Sequence, residues 1–215
     1  HFDAYTQTIE RKFENRVKTT QVIPSPMIKA LTVSNQTNTN DKQYTQGVTL
    51  QSNFSLPANN ELVIGTQYQH DKIKQDTDGS TRQTAATGFF DTQTRTLSYN
   101  EAEQSNTSLF AQNDWRFADD WTWTVGARQY WLSSKLNRND TQTLQSSGST
   151  WHSTGGNSVH DDELVTSTSL RYSGFKDLEL RAAYAQGYVF PTLTKLFMQT
   201  SAGGSVTYGN PNLKA

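Results

Sequence analysis

Apolar and polar residues alternate one for one along six stretches of this chain. In 43–54 the apolar set is Tyr44, Val48, Leu50 and Phe54, and in 61–70 it is Leu62, Ile64 and Tyr68. Leu109, Ala111, Trp115 and Phe117 carry it through 107–117, and Trp121, Trp123, Val125, Ala127 and Trp131 through 121–131. Leu164, Leu170 and Tyr172 mark 164–172; Leu178, Leu180, Ala182, Tyr184, Tyr188 and Phe190 mark 178–190. A weaker segment covers 2–13. Period two belongs to a strand with one dry and one wet face, and no stretch shows a helical stripe. The spacing predicts an all-β chain of about seven antiparallel strands.

The connections alternate between short and long. Short turns fall near 55–60, 118–120 and 173–177, rich in Asn, Asp, Pro and Gly, which favour tight reversals. Long polar loops are expected near 14–42, 76–103, 137–162 and 191–215. Tight turns at one end and long excursions at the other describe an up-and-down meander in a large transmembrane β-barrel. A sandwich with Greek-key crossings mixes the two kinds at both ends.

Composition bears on the same choice. Only 33% of the 215 residues are hydrophobic, while Thr, Ser, Gln and Asn together number 83. Such a chain is short of material for a buried core of ordinary size, yet five Trp, nine Tyr and ten Phe set it apart from a disordered one. A barrel wall reconciles the two, since half of each strand faces water and the other half needs only a thin apolar coat. Phe54, Trp115, Phe117, Trp121, Trp123, Tyr172 and Phe175 gather near the short turns, where a membrane interface places aromatic rings.

Charge and motif searches exclude other classes. The formal net charge is -1 without a basic cluster, so nothing attracts nucleic acid. The absence of cysteine removes thiolate chemistry and Cys-ligated metal sites. His152, His160, Asp161, Asp162 and Glu163 lack metal-ligand spacing. No nucleophile triad, phosphate loop or matched carboxylate pair marks an enzyme, and no cofactor is expected.

The most specific text lies at the C-terminal end. Arg181-Ala182-Ala183-Tyr184-Ala185-Gln186-Gly187-Tyr188-Val189-Phe190-Pro191-Thr192-Leu193 is followed by Tyr208-Gly209-Asn210-Pro211-Asn212-Leu213-Lys214. These residues resemble the TonB-dependent outer-membrane receptors, in which a strand ending in a Tyr-x-x-Gly-Phe-x-x-Pro-Thr-like motif leads to Gly-Asn-Pro-Asn-Leu-Lys. Leu109-Phe110-Ala111-Gln112-Asn113-Asp114-Trp115 and Thr124-Val125-Gly126-Ala127-Arg128 are similar to strand text of that family. Read physically, Gly187 and Pro191 are expected to end the ladder. Asn210-Pro211 is expected to start a turn, with Asn212 capping its own backbone. Gly187, Phe190, Pro191, Asn210, Pro211, Asn212 and Leu213 are therefore read as shaping the extracellular entrance.

The resemblance implies uptake of an iron chelate across the bacterial outer membrane. It also implies contact with outer-membrane lipid and coupling to the inner-membrane TonB system through a plug domain that this sequence does not carry. The chain is accordingly expected to be part of a larger barrel. Haem receptors that resemble this region place a His between the two motifs; residues 195–209 contain none, so a siderophore is favoured over haem. Arg with aromatic walls suits such ligands, which nominates Arg82, Phe89, Phe90, Arg95, Tyr99, Trp131, Trp151 and Tyr208 in or near the long loops. Two other classes share the strand pattern: a soluble extracellular β-sandwich binding module, and a passive porin or adhesin barrel.

Overall fold

A computed structural model of the chain describes residues 1–202 and 205–213. Strands β1 (Phe2–Val22), β2 (Ala30–Leu56), β3 (Asn60–Ala85), β4 (Asp91–Ala118) and β5 (Trp121–Gln145) form an antiparallel meander. A short β6 (Gly148–Thr154) folds back on β5, and β7 (Ser158–Phe175) and β8 (Leu178–Ala185) complete the sheet. Its hydrogen-bonded order is β1-β2-β3-β4-β5-β7-β8, a wall seven strands wide. A one-turn helix α1 (Leu193–Phe197) and a small hairpin of β9 (Gln199–Ala202) and β10 (Ser205–Tyr208) follow.

The register fixes which residues share a face. Phe2, Leu50, Thr66, Leu109, Gln129 and Leu164 form one continuous row across six strands. Trp115, Trp123, Leu170 and Ala182 form another, nearer the short turns. Leu109, Trp123, Val125 and Leu180 on this face are all exposed. The opposite face is polar and lies on the inside of the curl. Residues of the β2–β3 turn and of β8 line a single cavity of about 800 Å³ with Asp114, Thr124, Ser169 and Arg181. Strands that far apart in the sheet share a cavity only if the sheet bends around it. The chain is thus a curled half-barrel.

Side-chain hydrogen bonds lace the inner face from strand to strand. Tyr5 Oη donates to Gln69 Oε1 at 3.0 Å, Gln69 Nε2 to Asp71 Oδ2 at 2.7 Å, and Thr45 Oγ1 to Asp71 Oδ1 at 2.5 Å. Further out, Gln75 Nε2 donates to Asp41 Oδ1 at 2.9 Å and Asn100 Nδ2 to Gln75 Oε1 at 3.2 Å. A polar wall is stable where each buried donor finds an acceptor.

The long loops expected at 14–42, 76–103 and 137–162 are largely strand. β1 and β2 turn at 23–29, β3 and β4 at 86–90, and β5 and β6 at 146–147. Beyond the membrane both faces of a strand are wet, so hydrophobic alternation fades while the β-branched Thr that supports pairing remains. The 191–215 stretch is likewise not simple loop but α1 and the β9–β10 hairpin.

One irregularity divides the wall. Ala102 pairs with Leu136 but its neighbour Glu101 pairs with Arg138, leaving Asn137 as a bulge in β5. Below the bulge β5 pairs with β7; above it β5 pairs with β6. Leu136 takes both halves of the junction, donating its N–H to Asn157 and accepting from Gly156 N–H, each at 2.8 Å.

The apolar core is small and lies on the inner face. Leu193, Leu196 and Phe197 of α1, with Met198, bury against Ile73 of β3, Ala102 of β4 and Leu136 of β5. Leu196 and Ala102 have no exposed surface. The i, i+3, i+4 spacing of Leu193, Leu196 and Phe197 is the helical face that the strand rhythm masked.

Candidate functional site on the inner wall

Arg128 stands at the centre of an aromatic patch inside the curl. It belongs to the face of β5 opposite Ala127 and Val125 and pairs in register with Phe110. Its guanidinium lies 5.1 Å from the Phe110 ring centroid and 5.0 Å from that of Tyr130. Nη2 and Nε donate to Ser108 Oγ at 2.9 and 3.2 Å, and Nη2 also donates to Gln67 Oε1. No carboxylate of a described residue pairs with it, so its charge is held by rings and neutral acceptors. Cation–π contacts strengthen where water is excluded.

Phe110 can lie flat on the wall because residue 65 has no side chain. A Cβ on Gly65 would come within 2.3 Å of Phe110 Cζ and 2.8 Å of the Leu50 carbonyl oxygen. The glycine and the ring across from it therefore act as a pair.

The segment after β8 completes the patch. β8 stops at Ala185, two residues before Gly187, so pairing ends earlier than Gly187 and Pro191 suggested. The cause is Gln186. Its N–H still reaches Thr166 O at 3.0 Å, but its side-chain Oε1 accepts from Thr166 N–H at 2.9 Å, taking the place of its own backbone carbonyl. The chain then turns inward, where the Tyr188 ring packs, tilted, on Tyr130 at 5.2 Å and its hydroxyl donates to Asp161 Oδ2 at 3.1 Å. Burial, aided by Asp161, pushes the Tyr188 phenol well above its ordinary value.

The family-like motifs hold this inward strap in shape. Pro191 leads into α1, where Thr192 O accepts from Lys195 and Leu196 N–H at 2.9 and 3.0 Å. Phe190 packs on the core cluster. Gly209 N–H donates to Met198 O at 3.0 Å and Asn210 N–H to Lys195 O at 2.9 Å. A Cβ on Gly209 would meet Phe197 N at 2.5 Å and Leu196 O at 2.7 Å. The turn at Pro211 is capped by Asn210, whose Oδ1 accepts from Asn212 N–H at 3.0 Å. The capping residue is thus Asn210 rather than Asn212. Leu213 N–H closes the turn on Asn210 O at 3.2 Å.

The nominated ligand residues do not converge. Arg82, Arg95, Tyr99, Trp131 and Trp151 lie on strands, not loops. Arg82 forms a bidentate pair with Asp91 at 2.9 and 2.5 Å, and Arg95 one with Asp78 at 2.9 and 2.7 Å. Those guanidiniums hold both carboxyls below their ordinary range. Phe89 and Phe90 make an edge contact at 6.5 Å in the β3–β4 turn. Tyr99 and Trp151 line an outer cleft of about 820 Å³ with Leu97 and Arg138, whose guanidinium covers the Tyr99 ring at 4.7 Å. Most of that cleft belongs to the outward-facing rows, however. Trp131 sits on the outer face and Tyr208 on β10, both exposed. Sequence reasoning reaches Arg128 only as one of the polar-face charges, with Arg116, Arg171, Arg181, Glu179 and Asp114, expected to meet a plug, and it misses Phe110 and Tyr130, although register from the predicted strands already sets Phe110 opposite Arg128. Among the described residues no group of three or more His, Asp or Glu side chains is placed to hold a metal ion.

The outer face carries a membrane band. From Trp121 to Trp131 on β5 is roughly 33 Å of strand, or about 24–27 Å of height at the usual tilt. The aromatics near the short turns line its lower edge in an unbroken chain of contacts. Phe117 lies 5.6 Å from Trp115 and 6.2 Å from Trp121, and Tyr172 lies 4.6 Å from Trp121 and 5.1 Å from Phe175. An apolar zone of that height with such a girdle fits a bacterial outer membrane.

The profile of the family described as TonB dependent receptor-like, beta-barrel matches residues 3–215. The chain belongs to that family. No curated protein matches it. The fold and the family together define an outer-membrane receptor and transporter barrel.

Proposed function

We propose that this barrel segment serves the energy-coupled uptake of an iron chelate, a ferric siderophore in preference to haem. The observation that carries this reading is the Arg128 patch. An unpaired guanidinium between two aromatic rings, on the inner wall near the outer edge of the membrane band, is suited to an anionic or hydroxamate ligand with a flat, polarisable surface. The absence of His from 195–209 argues against an axial ligand for haem iron from the strap. The polar cavity near the short turns, with Arg116, Arg171, Arg181, Glu179 and Asp114 in or beside its wall, is the surface a plug domain would occupy. Transport through the TonB system would act there.

The test uses the full-length receptor in iron-starved cells supplied with radio-iron siderophores or haem. Arg128→Gln is expected to cut siderophore uptake about tenfold or more, the usual cost of a charge-assisted contact, with the receptor still present at native level in the outer membrane. Growth on haem as sole iron source through this receptor, or undiminished siderophore uptake by Arg128→Gln, would overturn the reading.

A further inference from the structure

The outer cleft of about 820 Å³ lies on the outward face of the strands where they extend beyond the membrane band. Two adjacent rows floor it. Lys12, Asn40, Asp76, Tyr99 and Asp140 form the first, and Glu14, Asn38, Asp78, Leu97, Gln142 and Trp151 the second. Lys12 stands on β1 and Trp151 on β6, at opposite sides of the sheet, yet both line the one cleft. The sheet here therefore bends toward its outward face, against the curl nearer the membrane. The bulge at Asn137 marks the start of this reversal, as expected of a feature that bends and twists the strand carrying it.

Asp140 lies nine residues beyond Trp131 on β5, one of them the bulge. That is about 26 Å along the strand and roughly 20 Å above the apolar edge. It is clear of the headgroup layer, which adds only about 5–8 Å to each side of the hydrocarbon. The cleft thus opens to the surrounding water and not to lipid. Its ionic groups are mostly spent within the protein. Asp78 is held by Arg95, Asp140 by Arg138 and Ser153, Glu14 by Arg16, and Lys12 by Glu10. Asp76 has no ion pair with a described residue. Asn40 Oδ1 is buried without a partner among the described residues, and the Asn38 and Gln142 side-chain amides make no hydrogen bond to one. Trp151 is exposed, and Tyr99 and Leu97 line the cleft with it.

We propose that this cleft is a binding site for an uncharged oligosaccharide, separate from the import path inside the barrel. Sugar rings present C–H faces that settle on the electron-rich face of an aromatic ring, which Trp151 supplies. Sugar hydroxyls need both donors and acceptors, which Asn38, Asn40 and Gln142 offer, while the two oxygens of Asp76 can take a pair of adjacent hydroxyls. The unspent charge is negative, so phosphorylated and carboxylated sugars are disfavoured. The floor is a sheet face whose backbone is already paired, which leaves no edge for an extended peptide to join. The assignment rests on the outward rows alone and not on the nature of the imported ligand.

Saturation-transfer NMR on the full-length receptor in a sugar-free detergent reads binding directly, with maltotriose, cellotriose, mannotriose and lacto-N-tetraose as probes. At least one of these is expected to bind, and Trp151→Ala and Asp76→Asn each to weaken it about tenfold. A phosphorylated inner-core oligosaccharide released from the outer leaflet should bind at least tenfold more weakly than that probe. Retention of the heat-modifiable gel shift shows that a variant is folded. If either variant does not assemble, the other decides together with Gln142→Ala, which is expected to lower affinity several-fold. No binding by any of the four probes, unchanged affinity in the folded variants, or equal binding of the phosphorylated oligosaccharide would overturn the proposal.

Discussion

Gly65 is dictated by the ring across the ladder from it. Because a Cβ there would collide with Phe110 and the Leu50 carbonyl, Gly65→Val is expected to lift Phe110 off the wall and unseat Arg128. Phe110→Ala removes the same support without touching the backbone. Phe110→Ala is expected to weaken binding of the proposed chelate several-fold in a titration on the full-length receptor while leaving its folded fraction near native, whereas Gly65→Val, which also meets the Leu50 carbonyl, is expected to lower the folded fraction as well. Gly209 answers to backbone instead, since its Cβ would meet Phe197 N and Leu196 O. Gly209→Ala should cost about 1–3 kcal/mol of strap docking, visible as faster proteolysis within 186–213. The arginines nominated from sequence have a different role, pinning the β3–β4 hairpin to Asp78 and Asp91. Both carboxyls are lowered in the folded state. Their contribution is therefore present above the unfolded carboxylate value of about 3.9 and fades as pH falls through the folded values. Hydrogen-exchange protection of the hairpin tip should be flat from neutral pH to about 5 and decline below about 4; D78N with D91N should abolish that dependence. The Tyr188 phenol runs the other way. Raised in the folded state, it supports the strap fully below the unfolded value of about 10, and strap docking should loosen only in strong alkali.

At the scale of elements, the strap is the piece that can come loose without the wall. Its buried apolar contacts are few: Leu193, Leu196 and Phe197 of α1 with Met198, and the partly buried Phe190 beside them, on Ile73, Ala102, Leu136 and the partly buried Val159 of the wall. Leu196→Ala should remove about 2–5 kcal/mol from that docking. Protease sites between Gln186 and Asn210 are expected to open while the barrel keeps its heat-modifiable shift. What could be read of these elements beforehand followed from burial. Strands inside the membrane band, such as 121–131, announce themselves because one face must be apolar. The outer halves of β1 to β4 read as loops in the sequence because nothing forces Asn35, Gln36, Thr94 or Thr96 to alternate once both faces meet water. The bulge at Asn137 left no trace, since it arises where β5 exchanges β7 for β6 as its neighbour. α1 is hidden for the opposite reason: a single turn shows its spacing only through Leu193, Leu196 and Phe197, in a stretch whose Pro and Thr read as loop.

For the whole molecule, the composition that suits no ordinary core is what a wall between lipid and water requires. The face assignment makes a direct prediction. Spin labels at Leu109, Ala111, Trp123, Val125 and Leu180 should respond to a lipid-soluble quencher, and those at Gln112, Thr124 and Arg181 should not. An arginine at Ala127, in the middle of the outward rows, should cost about 2–4 kcal/mol of assembly, read as a lower folded fraction in vesicles. The strand lengths carry a further consequence. β2, β3 and β4 run 27, 26 and 28 residues, while crossing the bilayer needs only about 9–11. The part exposed to the surroundings is therefore a ribbon locked in register. A single inserted residue in one arm would swap the inner and outer faces of everything between it and the tip. Drift in length is confined to the tips, to bulges such as Asn137, or to matched changes in two arms at once. Variation on this surface should accumulate by substitution along the arms and by insertion only at their ends.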